Sequence, residues 1–325
     1  MVVKQAAAGG GHSMVLTRDG DVFTWGFGFF GQLGHGNTDD QLVPKRVGGL
    51  TNVTDIAAGS THSLALVEGG AVYTWGYNDR GQLGLGDHGY STDRNVPTEV
   101  PGVNEVVAVA AGSCHSFVLS REGTVMACGD NGYGQLGLGD TDNRDTFTVV
   151  PGLKGVVDID AGGDHSIAAT LEGEVYTWGK GWGLGQGGDD DTQRLSPTKV
   201  TGGGLDGVVV VQIAAGYTHS MALTAAGDLY TWGRGRSGRL GHGDEVNRSV
   251  PTVVGGTGAV MGMAGSEYHS LVTTREGRVL GFGYNEYDQL GLGAEALLSV
   301  LTPVAIGDIR VIGNGDDGEG KEGKE

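Results

Sequence analysis

Six imidazoles recur in this chain, each with a serine directly after it: His12, His62, His115, His165, His219 and His269. Imidazole is the commonest metal ligand among side chains, so zinc binding is the first chemistry such a set offers. The spacing argues against it. Successive pairs stand 50, 53, 50, 54 and 50 residues apart, the period of a modular array in which each copy is one supersecondary unit. Equivalent positions in a ring lie one per unit about the axis. They do not converge on one ion at the ~2.0–2.1 Å of a zinc–imidazole bond. The six pairs are expected to be structural, with His and Ser bonding nearby backbone groups. No zinc, cofactor or catalytic residue is expected.

Two other patterns could do chemistry. Gly26-Phe-Gly-Phe-Phe-Gly31 and Gly233-Arg-Gly-Arg-Ser-Gly238 both satisfy GxGxxG, but a phosphate site needs a helix N-terminus after the glycines, and a loop and strand follow here. Acidic loops return at Asp39-Asp40, Asp87, Asp140, Asp142, Asp145, Asp189 to Asp191 and Asp244-Glu245. None has the ordered ligand series ending in Glu that an EF-hand requires. They read as solvated turns that recur on one rim.

The elements that hold these residues are strands. In the second and third copies "VPTEV" (Val96 to Val100) leads into "VVAVAAG" (Val106 to Gly112), "HSFVLS" (His115 to Ser120) and "TVMACG" (Thr124 to Gly129). Short β-branched and aromatic runs bounded by Gly, Asp and Asn are strand grammar. Tight turns ending in glycine, such as Arg18-Asp19-Gly20 and Arg121-Glu122-Gly123, join the third strand to the fourth. Four antiparallel strands per copy is the arithmetic of a propeller blade. The last strand ends in Trp-Gly at Trp25, Trp75, Trp178 and Trp232, with Cys128 and Phe282 in the other two copies. A ring there can fill the wedge between neighbouring sheets.

The reading is therefore all-β: a single β-propeller over 1–312, with repeats at about 2–50, 51–102, 103–152, 153–207, 208–257 and 258–306. Residues 313–325 form an acidic, flexible tail. Six blades are favoured and seven is the alternative, with Ile309 to Gly315 as the start of a seventh unit. The chain starts on the second strand of a unit (Val2 to Gly9), and its end, Pro303 to Ile306, is a first strand that matches Pro97 to Val100. Pairing of these N- and C-terminal strands in one mixed blade is expected to close the ring and remove two exposed edges.

The pattern "IAAGxxHSxALTxxGxVYTWGxNxxGQLGxGD" resembles the regulator-of-chromosome-condensation repeat family over roughly residues 2 to 306. The resemblance implies a propeller, typically of seven blades, and admits guanine-nucleotide exchange on a Ran-like small GTPase, the namesake's activity. It does not extend to the UV-B photoreceptor branch, whose repeats place Trp two residues before the His. Here those positions are Gly10, Ser60, Ser113, Gly163, Tyr217 and Glu267.

Bulk properties narrow the partner. With 21 basic and 39 acidic residues the net charge is −18, a field that repels nucleic acid and anionic membranes and favours a partner with a basic surface. No stretch reaches the roughly 18 apolar residues of a membrane span. Two cysteines outside any CxxC, and a start without the apolar core of a signal peptide, predict an intracellular, cytoplasmic chain, with nucleus and cilium also open. Sixty-five glycines against 7 prolines fall at fixed places and read as turns.

What differs between copies points to binding. Loops after the Trp-Gly position carry Phe27, Phe29, Phe30, Tyr77, Tyr133, Trp182, Tyr284 and Tyr287, and copy five carries Arg234, Arg236 and Arg239. Aromatics and Arg anchor protein interfaces. Asp160, Asp164, Glu267 and Tyr268 occur in single copies and are further candidates. The expected function is a non-enzymatic interaction or scaffold propeller, a subunit or adaptor in a larger assembly, with exchange factor as the alternative.

Overall fold

The structure, a computed structural model, describes residues 2–189, 191–292 and 299–310. It contains six four-stranded antiparallel sheets, each built from consecutive chain. Blade 1 is β1 (Val3–Ala8), β2 (His12–Thr17), β3 (Val22–Gly26) and β4 (Gln41–Arg46). Blade 2 is β5 (Val53–Ala58), β6 (His62–Val67), β7 (Val72–Gly76) and β8 (Arg94–Glu99). Blade 3 is β9 (Val106–Ala111), β10 (His115–Ser120), β11 (Val125–Gly129) and β12 (Arg144–Val149). Blade 4 is β13 (Val156–Ala161), β14 (His165–Thr170), β15 (Val175–Lys180) and β16 (Gln193–Lys199). Blade 5 is β17 (Val210–Ala215), β18 (His219–Thr224), β19 (Leu229–Gly233) and β20 (Arg248–Val253). Blade 6 is β21 (Val260–Gly265), β22 (His269–Thr274), β23 (Arg278–Tyr284) and β24 (Ser299–Arg310). The protein is a six-bladed propeller. No helix among the described residues is long and apolar enough to cross a membrane.

The cores lie between blades rather than within them. Alternate residues of a strand point to opposite faces, so His12, Met14 and Leu16 of β2 face blade 2, where Ile56 and Trp75 complete their apolar cluster. The same packing joins Phe117 to Trp178, with ring centroids 5.8 Å apart and planes at 82°, and Met221 to Phe282. Trp75, Trp178, Trp232 and Phe282 are fully buried, as wedge fillers should be. Blade 3 has Cys128 at that position, and Phe147 of β12 brings its ring there instead. A Cβ added at Gly84 would lie 2.5 Å from that ring, as one at Gly34 would lie 2.9 Å from Trp75.

Two expectations are corrected. The "VPTEV" segment is the outermost strand of the preceding hairpin: Tyr73 pairs with Glu99 and Thr74 with Thr98. Consequently the ends share no sheet. β1 pairs with β2, and β24 pairs with β23, which already fills the outer edge of blade 6. The mixed closing blade does not form, because each end arrives with its sheet complete. Inner strands β1 and β5, β5 and β9, and onward to β17 and β21 lie side by side, but β21 and β1 do not pack in that way. The proposed acidic tail, and most of the segment considered as a seventh unit, lie outside the described residues.

Candidate functional site

The histidines tie each blade to the next. His12 Nε2 lies 2.8 Å from Ser63 Oγ, His62 2.9 Å from Ser116, His115 3.1 Å from Ser166, His165 2.9 Å from Ser220 and His219 2.8 Å from Ser270. Each serine hydroxyl donates onward to a loop carbonyl of the blade before it, as Ser63 does to Gln32 O at 2.8 Å and Ser116 to Gln82 O at 2.7 Å. A hydroxyl has one proton, so the imidazole must donate through Nε2–H. Burial forces the neutral form: it pulls His12 and His165 down to about 4 and His62 and His115 down to about 3. The partner is a side chain of the next blade rather than nearby backbone. A single sequence shows that a His-Ser pair recurs, not that the two residues face opposite neighbours.

The indoles use the same carbonyls. Trp75 Nε1 donates to Gln32 O at 2.8 Å, Trp178 to Gln135 O at 2.8 Å and Trp232 to Gly183 O at 2.7 Å. Gly183 is the answer to the irregular loop of blade 4. A Cβ there would meet His165 Nε2 at 2.6 Å, so glycine keeps the carbonyl in place where glutamine cannot fit. Among the described residues no group of three or more His, Cys, Asp or Glu could hold a metal ion.

Three of the acidic loop residues are clips within their own loops. Asp87 pairs with Arg94 at 2.5 Å, Asp140 with Arg144 at 2.6 Å and Asp244 with Arg248 at 2.8 Å. Asn78 and Asn131 each donate to the aspartate of their own loop at 2.9 Å. The hydrogen bond from Arg144 holds the Asp140 carboxyl below its usual range, and Arg248 does the same for Asp244. These clips fold the long loops into platforms at the end of each blade where Gly26 pairs with His12.

An aromatic ladder stands on two of those platforms. Phe27 and Phe29 have centroids 6.2 Å apart, Phe29 and Phe30 5.2 Å, Phe30 and Tyr77 4.7 Å, and Tyr77 and Tyr90 6.3 Å. Phe29 is 65% exposed and Tyr90 78%. Burial, with Asp79 adding, pushes the Tyr77 hydroxyl up to about 12, so it stays neutral. Tyr90 escaped sequence reasoning because it lies in a longer stretch of the blade 2 loop with no counterpart in the other copies. A second group joins Tyr268 to Tyr284 at 5.8 Å and Tyr284 to Tyr287 at 6.1 Å on blade 6.

Between them, a cleft of about 240 Å³ opens beside Tyr133, Asp164, Lys180, Trp182, Tyr217 and Arg234. Lys180 Nζ sits 4.7 Å from the Tyr133 ring centroid. Arg234, Arg236, Glu267 and Tyr268 are exposed, while Asp164 and Trp182 are half-buried.

Two candidates are tied to the neighbouring blade, and the first of them is not a surface contact. Arg239 is only 4% exposed: it donates to Thr218 Oγ1 at 3.1 Å and to the Glu267 and Arg236 carbonyls at 3.0 and 2.9 Å. It takes the place glutamine has in other blades, and its length lets it reach blade 6. Asp160 is half-buried on the inner strand β13, and its carboxylate accepts from Ala215 N of blade 5 at 2.8 Å. Burial raises its pKa to about 7, and that of Asp158, which accepts from Ile213 N, to about 6.

Known proteins share this architecture. The ultraviolet-B receptor UVR8 of Arabidopsis thaliana is 33% identical over 308 residues, covering 92% of this chain and 69% of the receptor. The human E3 ubiquitin-protein ligase HERC2 is 37% identical over 247 residues, but the matched part is 4% of that protein. Among solved structures, Prp20p of Saccharomyces cerevisiae matches with a TM-score of 0.81 at 26% identity, covering 94% of this chain and 76% of its own. Human WBSCR16 matches with a TM-score of 0.82 at 26% identity, covering 94% of this chain and 81% of its own. Residues 1–262 match the RCC1-like domain. Six blades joined by one repeated His-Ser interface, together with these matches, place the chain in the RCC1-like propeller family.

Proposed function

We propose that the protein is a non-enzymatic interaction propeller, an adaptor or subunit that holds a partner protein on its aromatic loop face. The observation that supports this most is the ladder from Phe27 to Tyr90: several large rings in mutual contact, with Phe27 43% and Phe29 65% exposed. Contiguous exposed apolar patches of that kind mark binding sites, and aromatic anchors dominate interface energies. Asp79 and Asp93 lie close enough to Tyr77 to raise its pKa, so the rim suits a partner with basic residues around an apolar centre. Affinity capture from native lysate with the wild-type chain and with Phe29→Ala/Tyr90→Ala tests this. One partner should be lost with the variant, at unchanged melting temperature. Equal recovery from both would overturn the loop-face assignment.

Guanine-nucleotide exchange is the second reading, favoured by likeness to Prp20p, whose structure was described together with its binding to Gsp1p and histones. Accelerated nucleotide release from a purified Ran-like GTPase would establish it in place of the adaptor reading.

A further inference from the structure

We infer that the cleft lined by Tyr133, Trp182 and Tyr217, across blades 3, 4 and 5, is the seat for one arginine side chain of a partner protein. The cleft originates in a single departure from the repeat. The inter-blade serines donate to Gln32 O, Gln82 O, Gln135 O and Arg239 O at four junctions, and to Gly183 O at the fifth. At the first three of these the glutamine side chain is packed away from water. Gly183 brings no side chain, and its loop closes through a short 3₁₀ turn, Trp182–Leu184. A hollow of about 240 Å³ remains, with Gly183 in its lining. Sites for drug-sized ligands and cofactors run to about 300–1,000 Å³, so this one suits a single large side chain.

The charges of the lining decide what that side chain carries. Asp164 is half-buried, and among the described residues its carboxylate has neither a hydrogen-bond donor nor an ion-pair partner. Burial, with Asp130 adding, pushes this carboxyl above its usual range. A cation entering the cleft offsets both effects. The two cations already there are engaged elsewhere. Lys180 Nζ lies 3.7 Å from Asp191 and 4.7 Å from the Tyr133 ring centroid, and Arg234 is likewise engaged. Asp164 is the charge left to be met.

Ring faces select among cations. Tyr133 already carries Lys180, whereas Trp182 and Tyr217 carry no cation among the described residues. Tyr217 lies over Gly163, where a Cβ would come within 3.1 Å of its ring, and Trp182 is half-buried. A guanidinium meets this combination: it is flat, stacks on aromatic faces, and its fork delivers two N–H bonds to one carboxylate. A lysine ammonium is a compact, strongly hydrated point charge that cannot fork. A methylated ammonium is held by a cage of rings, and one of the three rings here is taken by Lys180. This seat goes beyond the aromatic ladder of blades 1 and 2 and does not rest on it, so Phe29→Ala/Tyr90→Ala leaves the cleft intact.

The test titrates Nα-acetyl-arginine amide into the 15N-labelled full chain and follows the Trp182 indole signal. A saturable shift is expected. Nα-acetyl-lysine amide should bind about fivefold more weakly, and Nα-acetyl-citrulline amide, which keeps the shape without the charge, should give no shift. Asp164→Asn should remove the response to the arginine amide at an unchanged melting temperature, because the carboxylate it replaces makes no contact within the fold. Phe29→Ala/Tyr90→Ala should respond as the wild type does. Absence of a saturable shift with the arginine amide would overturn the proposal. So would equal binding of the lysine amide or tetramethylammonium, or a shift that survives Asp164→Asn.

Discussion

Each buried histidine is a neutral donor with one serine as its acceptor, and removing the acceptor strands the donor. Ser116→Ala should therefore cost about 1–3 kcal/mol in urea unfolding, the range for a buried group left without its partner. Ser13→Ala, at a half-buried serine of blade 1, should fall within about 0.5 kcal/mol of wild type. The same residues set the acid limit. Folded pKa values near 3 to 4 for His62, His115, His12 and His165 lie below the ordinary 6.5. The stability tied to neutral imidazole is complete above pH 6.5 and is lost as pH falls toward 4. Asp158 and Asp160 run the other way: raised to about 6 and about 7, they carry a penalty that grows as pH rises from 3.8 and is relieved in acid. The lowered histidines outnumber the raised aspartates, so unfolding near pH 5 should take up protons. Urea midpoints measured from pH 7 to 4.5 should drop accordingly. A flat profile would show that these imidazoles are not buried.

Blades show which features of the sequence carried structural information and which did not. The glycine three residues before the His, present in five blades and replaced by Ser266 in blade 6, is required by close approach. A Cβ at Gly59 would lie 2.2 Å from His62 Cε1 and 2.6 Å from Gly112 O, and one at Gly255 would meet nothing within 4 Å. Gly59→Ala should lower the melting temperature by several degrees or prevent folding, whereas Gly255→Ala should be near neutral. Trp75→Ala should cost about 3–5 kcal/mol as a fully buried ring, and Trp25→Ala clearly less, because Trp25 is only half-buried. Strand positions, hairpin turns and the Trp wedge were legible because period and turn chemistry are local signals. The sheet to which "VPTEV" belongs was not: its alternation fits a partner on either side, and the choice is made by the loop clips, such as Asp87 with Arg94. The burial of Arg239 and the cross-blade bond of Asp160 were hidden for a related reason. Each depends on a neighbouring blade, Glu267 for one and Ala215 for the other, and no window of one copy contains it. Phe147 standing in for the tryptophan absent at Cys128 was equally hidden, although the gap itself was visible.

Among the described residues a single interface is used five times and does not recur between blades 6 and 1, so those two blades should behave differently from the four between them. Covering a junction buries alternate residues of two strands, and amide exchange in β1 and β22 should accordingly be faster than in β5 and β14. The loop faces stay available in either case, which is why a rigid disc can carry partner contacts without helping to stabilise itself. The most direct measurement is a histidine 15N NMR titration, which reports tautomer and charge for each ring separately. His12, His62, His115, His165 and His219 should remain neutral with the proton on Nε2 at pH 5, while His269 protonates ahead of them. Six histidines titrating together, or the first five already charged at pH 6, would contradict the inter-blade relay.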